Sequence, residues 1–264
     1  MTYGGRDMDR RRFLITSTSF LFGSLFGLNG FSKAYAKSEK REIFRPQIAL
    51  IIDDIGNCLS RARQFLELKE PITYSILPRL SHSQDLALEI HENGHEIMLH
   101  QPMEPYNSRL DPGPGALYVG DGADRIAGVM EENIEHVPFA TGVNNHMGSR
   151  FTSSEREIEE ALRVVEKSGL FFVDSLTSSR SVAYRTAKRF HMASALRNIF
   201  LDNVHSETRV LLQLIKLKRH ALKYGSAIGI GHPFPETARA IRRFSSALED
   251  SDVSLVYVSA VLKS

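Results

Sequence analysis

Short apolar runs alternate with longer amphipathic stretches along the chain after residue 36, and this alternation is the strongest constraint on the fold. The apolar runs have the length of buried strands, whereas the stretches between them repeat their apolar residues with a helical period. Strand and helix in alternation predict a parallel α/β sheet with right-handed crossovers. Seven or eight such units suit a (β/α) barrel better than an open sheet, although the alternation alone does not decide between the two.

The pattern predicts where the elements lie. The predicted strands are 47–52, 72–77, 95–99, 139–144, 170–173, 198–201, 226–230 and 253–258, and the predicted helices are 58–69, 82–93, 123–136, 154–168, 181–191, 206–224 and 236–249. Ser154 and Glu157 have the spacing of a capping box at the start of one helix, and Gly169 is placed to end it. The intervening loop 101–122 is long and rich in Pro and Gly, which is typical of a functional loop.

The first 36 residues differ in character from the rest. They contain five of the 33 basic residues and two of the 31 acidic ones, followed by an apolar stretch and the small residues Ala34 and Ala36. This order is typical of a secretory signal, and Asp9-Arg10-Arg11-Arg12-Phe13-Leu14 resembles a twin-arginine export signal. We expect cleavage after Ala36, a periplasmic or other extracytoplasmic location, and no permanent membrane span. The mature domain would be 37–264.

The charge and cysteine content of the remaining chain exclude some classes of protein. Residues 37–264 contain 28 basic and 29 acidic residues, and this balance gives no support for binding to nucleic acid. The single cysteine, Cys58, cannot form an intrachain disulfide. Its place at the start of an amphipathic stretch favours a packing or capping role over a catalytic one.

Polar residues follow the predicted strands, where parallel α/β folds place their active sites. These residues are Asp53, Asp54, His100, Glu104, Asn144, Asn145, His146, Asp174, Ser175, Asp202, Asn203 and His232. Of the ten histidines, only His100, His146 and His232 lie at such strand ends, whereas His95 begins a strand at the opposite end.

The adjacent acids Asp53 and Asp54 follow a buried strand, and a cation between them would offset their repulsion. One aspartate would bind the ion and the other would take a proton from water. Two histidines from other strands would complete a three-ligand site of the catalytic zinc type, with Asp54, His100 and His146 as candidate ligands. His232 could protonate the leaving group. The reaction class that this set of residues predicts is metal-assisted acyl hydrolysis.

Six ordered motifs resemble the divergent branch of the NodB-homology polysaccharide deacetylases. They are "IDDIG", "HQPMEP", "NNHMGSRFT", "VDSLTS", "FLDN" and "GIGHPFPET", and they run from about Gln47 to the C-terminus. The resemblance implies a distorted (β/α) barrel of about seven parallel strands, zinc or a similar divalent ion, and a carbohydrate substrate that carries acetyl groups. It implies that Asp53 is the catalytic base, Asp54 a metal ligand, His100 the first metal-binding histidine and His232 the general acid.

The sequence departs from the family pattern at two places. Glu104 stands where the second metal-binding histidine is expected, so the third ligand is either Glu104 or His146, and the position of His146 at a strand end favours the latter. The arginine motif of ordinary deacetylases has only Arg150 as a loose match. Arg150, Asp174, Ser175 and Asp202 are candidate substrate contacts, although the last three could instead cap helices or bind loop amides.

These observations favour a metal-dependent hydrolase that removes N- or O-acetyl groups from a polysaccharide or oligosaccharide of the cell envelope. The alternative is a non-catalytic envelope protein that keeps the fold and binds a glycan or a protein partner. A metal phosphoesterase is a third possibility, for which a second metal and more basic residues than Arg150 and Arg180 would be expected.

Overall fold

The computed structural model describes residues 45–248 and 251–262, so the predicted export signal at 1–36 lies outside the described residues. The strands are β1 (Gln47–Ile55), β2 (Ile72–Ile76), β3 (Glu96–Met103), β4 (Ala140–Met147), β5 (Phe171–Asp174), β6 (Ser194–Leu196), β7 (Ile199–Phe200), β8 (Ser226–Gly231) and β9 (Ser254–Val256). The helices are α1 (Leu59–Leu66), α2 (Ser83–Glu92), α3 (Ala123–His136), α4 (Glu155–Lys167), α5 (Ala183–Arg189), α6 (Glu207–Tyr224) and α7 (Pro235–Ser246).

The strands form one curled parallel sheet in the order β6-β5-β4-β3-β2-β1-β8-β7, with β9 added beside β1. Every strand pair is parallel. The predicted distorted (β/α) barrel is therefore confirmed. The described residues form nine strands rather than about seven, because β6, β7 and β9 are short additions of two or three residues. A strand as short as β6 has too few residues to give a periodic signal.

The two faces of β1 explain its uninterrupted apolar run. Ile48, Leu50 and Ile52 pack in the large core between the sheet and the helices. Ala49 and Ile51 point the other way, into a second cluster with Met98, Val173 and Ile230. Because helices cover one face and the barrel interior fills the other, every residue of this run is buried.

Three strands continue further than predicted. β1 includes both acids and ends at Ile55, β3 ends at Met103, and β4 ends at Met147. Asp53, Asp54, His100, Asn144 and His146 therefore lie within the last residues of strands, not in the loops beyond them. The loop after β3 is attached to the end of that strand, since Glu104 N donates to Leu117 O at 2.9 Å.

The predicted ends of α4 are confirmed, but its cap differs from the prediction. Gly169 follows the helix with a φ of 69°, as a C-terminal stop requires. The Ser154 hydroxyl donates to the Glu157 carboxylate instead of capping a backbone amide. Glu157 in turn accepts from Gly120 N at 3.1 Å, so this pair fastens the long loop to α4. Cys58 likewise occupies the N-cap position of α1 without a side-chain cap bond.

None of the helices in the described ranges has the length and apolar character needed to cross a membrane.

Candidate metal centre

The backbone of β1 changes conformation at its paired acids. The pairing register of β1 with β2 shifts between Ile52 and Ile55, and Asp54 has a φ of 58°. Successive side chains of a regular strand point to opposite faces, and an irregularity of this kind re-aims one of them. Both carboxylates consequently reach the same imidazole: His100 Nε2 lies 3.5 Å from Asp53 Oδ2 and 3.3 Å from Asp54 Oδ1.

The register between β3 and β4 brings the other groups to the same rim. His100 is opposite Asn144, and Pro102 is opposite His146. His146 Nδ1 lies 3.0 Å from Asp54 Oδ1 and 3.2 Å from His100 Nε2. Asp54 Oδ1 and one ring nitrogen of each histidine all lie within 4.8 Å of one another.

These three donor atoms fit a divalent metal ion. Asp54 Oδ1 is buried and has no hydrogen-bond partner, although two ring nitrogens lie near it. Two imidazole nitrogens and one carboxylate oxygen are the protein ligands of a common type of catalytic zinc site, which leaves a position open for water or substrate. Asp54, His100 and His146 would hold the ion.

Asn144 connects the predicted base with the predicted metal ligand. Its Nδ2 donates to Asp53 Oδ1 at 2.8 Å, and its Oδ1 lies 2.7 Å from His100 Nδ1 and 2.5 Å from the donating Ser75 hydroxyl. Because Asn144 Oδ1 can only accept, His100 Nδ1 must carry a proton. In the neutral imidazole the lone pair is then on Nε2, which faces Asp54, as metal ligation requires.

His232 approaches the site from β8, on the other side of Asp54. Its Nε2 lies 3.8 Å from Asp54 Oδ2, and its Nδ1 lies 2.9 Å from Asp202 Oδ1. The second Asp202 oxygen accepts from His232 N at 2.6 Å and from the Thr237 hydroxyl at 2.8 Å. Asp202 thus fixes both the backbone and the ring of His232.

The pKa shifts of these groups run in opposite directions for the two acids. Burial raises the pKa of Asp53 above its usual value, and His100, His232 and Asn144 offset only part of this. Burial also disfavours ionisation of Asp54, but the adjacent His100 and His146 outweigh it and hold the pKa of Asp54 far below its usual range. Asp54 therefore has the character of a permanent anion, and Asp53 that of a proton acceptor.

Asp53 and Asp54 raise the proton affinity of both His100 and His232. Burial lowers the pKa of His100, but Asp53 and Asp54 outweigh it and the net shift is upward. Burial also lowers the pKa of His232, whereas the hydrogen bond to Asp202 and the charges of Asp53 and Asp54 raise it to about 9. His232 is therefore protonated at neutral pH in the metal-free protein.

Glu104 does not take part in the cluster of donor atoms. Its carboxylate accepts from Arg150 Nη1 at 2.5 Å and from Val119 N at 2.8 Å, so both oxygens are directed at the loop. Of the two ligands that the sequence left open, the structure places His146 at the site and gives Glu104 a structural role. Arg150, the loose match to the family arginine, is occupied by this ion pair.

Two of the candidate substrate contacts prove to be internal supports. Asp174 is buried, and its oxygens accept from Leu176 N, the Ser181 hydroxyl and Tyr184 N. Asp202 is buried beneath His232, as described above. Both carboxylates are buried and occupied, which favours the structural role that the sequence left open as the alternative to a substrate contact. Ser175 is buried with its hydroxyl unpartnered, and for Ser175 and Arg150 a substrate contact stays a prediction.

Arg197 lies at the rim as well, although no motif of the sequence points to it. Its guanidinium donates to Ser175 O at 2.7 Å and to Leu176 O at 3.0 Å. Burial lowers its pKa, and the charges of Asp53 and Asp174 act in the opposite direction. Because its hydrogen-bond partners are backbone carbonyls, no side-chain pattern in the sequence indicates its position.

Known proteins resemble this chain in sequence and in structure. The "Uncharacterized protein YibQ" of Escherichia coli is 32% identical over 216 residues, which cover 82% of this chain and 67% of that protein. A crystal structure of the uncharacterized protein ATU2773 from Agrobacterium tumefaciens aligns with a TM-score of 0.78 and 27% identity, covering 82% of this chain and 89% of the other.

The fold is also that of a carbohydrate esterase. The family 4 carbohydrate esterase from Streptomyces lividans aligns with a TM-score of 0.51 and 12% identity, covering 80% of this chain and 91% of the other. At that identity the likeness concerns the fold alone. The model of the divergent polysaccharide deacetylase family matches residues 50–262, which is most of the chain. The chain therefore belongs to the divergent polysaccharide deacetylase family.

Proposed function

We propose that the protein is a metal-dependent hydrolase that removes N- or O-acetyl groups, or similar acyl groups, from a carbohydrate of the cell envelope. The observation that supports this best is the convergence of Asp54 Oδ1, His100 Nε2 and His146 Nδ1, with Asp53 and His232 on either side. Zinc is the proposed ion, because two imidazoles and one carboxylate suit it. When bound, such an ion polarises a carbonyl and lowers the pKa of water toward about 7.

Asp53 is the proposed general base. Its Oδ1 accepts from Asn144, which leaves Oδ2, on the side of His100, free to accept a proton. Water adds to the acyl carbon as Asp53 takes the proton. A buried carboxylate with a raised pKa suits this task, since a stronger base removes a proton more readily.

His232 is the proposed general acid. Asp202 holds the proton on Nδ1, so the proton on Nε2 is the one available to the site. When the tetrahedral intermediate collapses, the bond from the acyl carbon to the sugar nitrogen or oxygen breaks. His232 gives its Nε2 proton to that leaving atom, and the products are the free sugar amine or hydroxyl and the acid.

The proposed location is the periplasm or another extracytoplasmic compartment, reached through the twin-arginine-type signal at 1–36. The support for it is the sequence pattern of that segment. A substrate in the cell envelope agrees with this route.

The test is acetate release by the zinc-loaded protein from N-acetylated chito-oligosaccharides and O-acetylated xylan. Asp53→Asn should lower the rate by about 100-fold to 10,000-fold, which is the usual contribution of a positioned acid or base. Asp174→Asn is the matched control, because Asp174 is equally buried at the same rim but directs its oxygens away from the donor atoms. It should change the rate far less.

Two outcomes would contradict the proposal. Equal rates for the wild type and Asp53→Asn would remove the base from the mechanism. If both are inert on every acetylated glycan while still binding one of them, the protein is a glycan-binding member of the family and not a hydrolase.

A further inference from the structure

A cavity of about 170 Å³ lies directly beside the candidate metal centre. The residues that line it include Asp54 and His232 of the rim, together with Asn57, Cys58, Arg61 and Phe234. We propose that this cavity binds an anionic substituent, a carboxylate or a sulfate, of the carbohydrate substrate, and that Arg61 recognises the charge. The inference rests on the proposed function, and it specifies the substrate as an acidic glycan.

Arg61 is the residue of the cavity lining whose positive charge is available to a ligand. It is exposed, and within the described residues it pairs with no carboxylate, whereas Arg63, two residues further along α1, lies 2.9 Å from Glu89 through its Nε. The two arginines have similar exposure and belong to the same helix. One is neutralised by its partner, and the other presents its charge to the cavity.

The surroundings of Arg61 favour an anion. Asp54 is the one acidic residue among those lining the cavity, and it is already surrounded by His100 and His146. The first turn of α1 has no acidic residue, so the positive end of its helix dipole is not offset there.

Phe234 makes the cavity suitable for a sugar and not only for a small anion. Its ring lines the cavity and lies near two histidines, with centroid distances of 4.0 Å to His205 and 5.9 Å to His232. An aromatic ring offers apolar surface to the C–H face of a sugar. A sugar that contacts Phe234 would bring its acyl group toward Asp54 and its charged substituent toward Arg61, which line the same cavity.

Cys58 provides a probe of this cavity that does not depend on turnover. It is the single cysteine of the chain, it is partly exposed, and it lines the cavity. A ligand in the cavity should therefore slow its alkylation by iodoacetamide. The zinc-loaded full-length protein would be titrated at low salt with N-acetylglucosamine, with N-acetylglucosamine 6-sulfate and with inorganic sulfate. The concentration that halves the alkylation rate measures binding.

The sulfated sugar should protect Cys58 at about tenfold lower concentration than the neutral sugar, which is the gain from one charge-assisted hydrogen bond. Arg61→Gln should remove this preference, and the matched variant Arg63→Gln should keep it. Arg61 also lies close enough to lower the pKa of the thiol, after the larger effect of the Ser60 hydrogen bond, so Arg61→Gln changes the unprotected rate. The half-protecting concentration is independent of that rate.

Three results would overturn the inference. They are the absence of protection by the sulfated sugar, equal protection by both sugars, and a preference that survives Arg61→Gln. Inorganic sulfate that protects as well as the sulfated sugar would overturn the assignment to a glycan, since the site would then take any small anion. Because protection is read without turnover, a protein that binds the sulfated sugar but releases no acetate would refute the proposed hydrolysis alone.

Discussion

The two ends of β3 carry the same type of side chain in opposite environments. Directly before the amino end, His95 makes T-shaped ring contacts with Tyr74 and Tyr257, at centroid distances of 5.2 Å and 6.3 Å, and its Nδ1 has no hydrogen-bond partner. At the carboxyl end, His100 contacts Asp53, Asp54 and other polar groups from neighbouring strands. Burial lowers the pKa of His95, whereas the acids raise that of His100.

Burial alone therefore does not make a histidine functional. Desolvation acts on both rings and disfavours the charged form in each. What separates them is the set of charges that other strands deliver to the carboxyl end of the sheet. The aromatic end contributes packing, and the acidic end can hold a cation.

The largest effect, on zinc affinity, should come from removing the negative charge of Asp54 at the carboxyl end of the sheet. Asp54→Asn should lower zinc affinity by at least about 100-fold, since the loss of a direct ligand costs more than that of the groups which support ligands. Asn tolerates the left-handed backbone of Asp54, so the fold should persist. Isothermal titration with zinc measures the affinity. A variant that binds zinc as tightly as the wild type would show that Asp54 is not a ligand.

The next effect is a pH dependence of stability that originates at His232. Its folded pKa of about 9 is above the ordinary value of 6.5, so its ion pairing stabilises the fold fully below about pH 6.5 and is lost as the pH rises through 9. Between pH 6 and pH 10 the metal-free wild type should lose up to about 3 kcal/mol more than His232→Gln.

Urea unfolding at several pH values measures this difference. Parallel profiles for the wild type and His232→Gln would contradict the coupling of His232 to Asp202, Asp53 and Asp54.

A third prediction concerns the two adjacent asparagines of β4. Asn144→Ala should lower zinc affinity by about 10-fold to 100-fold, as expected for a group that orients a metal-binding histidine. The buried neighbour Asn145 binds Met147 O and Ser175 N instead. Asn145→Ala should therefore destabilise the fold by about 1–3 kcal/mol but leave the zinc affinity unchanged. Equal zinc affinities in the two variants would remove the orienting role of Asn144.

The smallest effect should come from the aromatic end. His95→Phe should change the free energy of unfolding by less than about 1 kcal/mol and leave zinc affinity unchanged. Burial lowers the pKa of His95, so the wild type loses stability as the pH falls through that pKa. The stability of His95→Phe relative to the wild type should therefore be slightly higher at pH 5 than at pH 8. Thermal unfolding at pH 5 and pH 8 measures this. A fall in zinc affinity would show that the two ends are coupled.

The sequence was sufficient to predict the barrel and the groups at its rim, because alternating strands and helices dictate both. It was not sufficient to predict the contacts between those groups. Asn144 reaches both Asp53 and His100 only because of the register of β4 on β3. Asp202 lies beneath His232 because β7 pairs with β8, although the two residues are 30 positions apart in the chain.

The choice between Glu104 and His146 likewise depended on tertiary structure. β4 continues to Met147, which carries His146 to the rim. The loop after β3 folds back so that Val119 N binds Glu104, and Arg150, which follows β4, pairs with the same carboxylate. Neither the extra length of a strand nor the path of a long loop follows from local periodicity.

X-ray absorption spectroscopy at the zinc edge would identify the ligands of the ion in the zinc-loaded protein. We expect one ion per chain, bound by two imidazole nitrogens and by oxygen ligands at about 2.0–2.2 Å. Failure to retain zinc at saturation, or a bound ion without two imidazole ligands, would contradict this expectation.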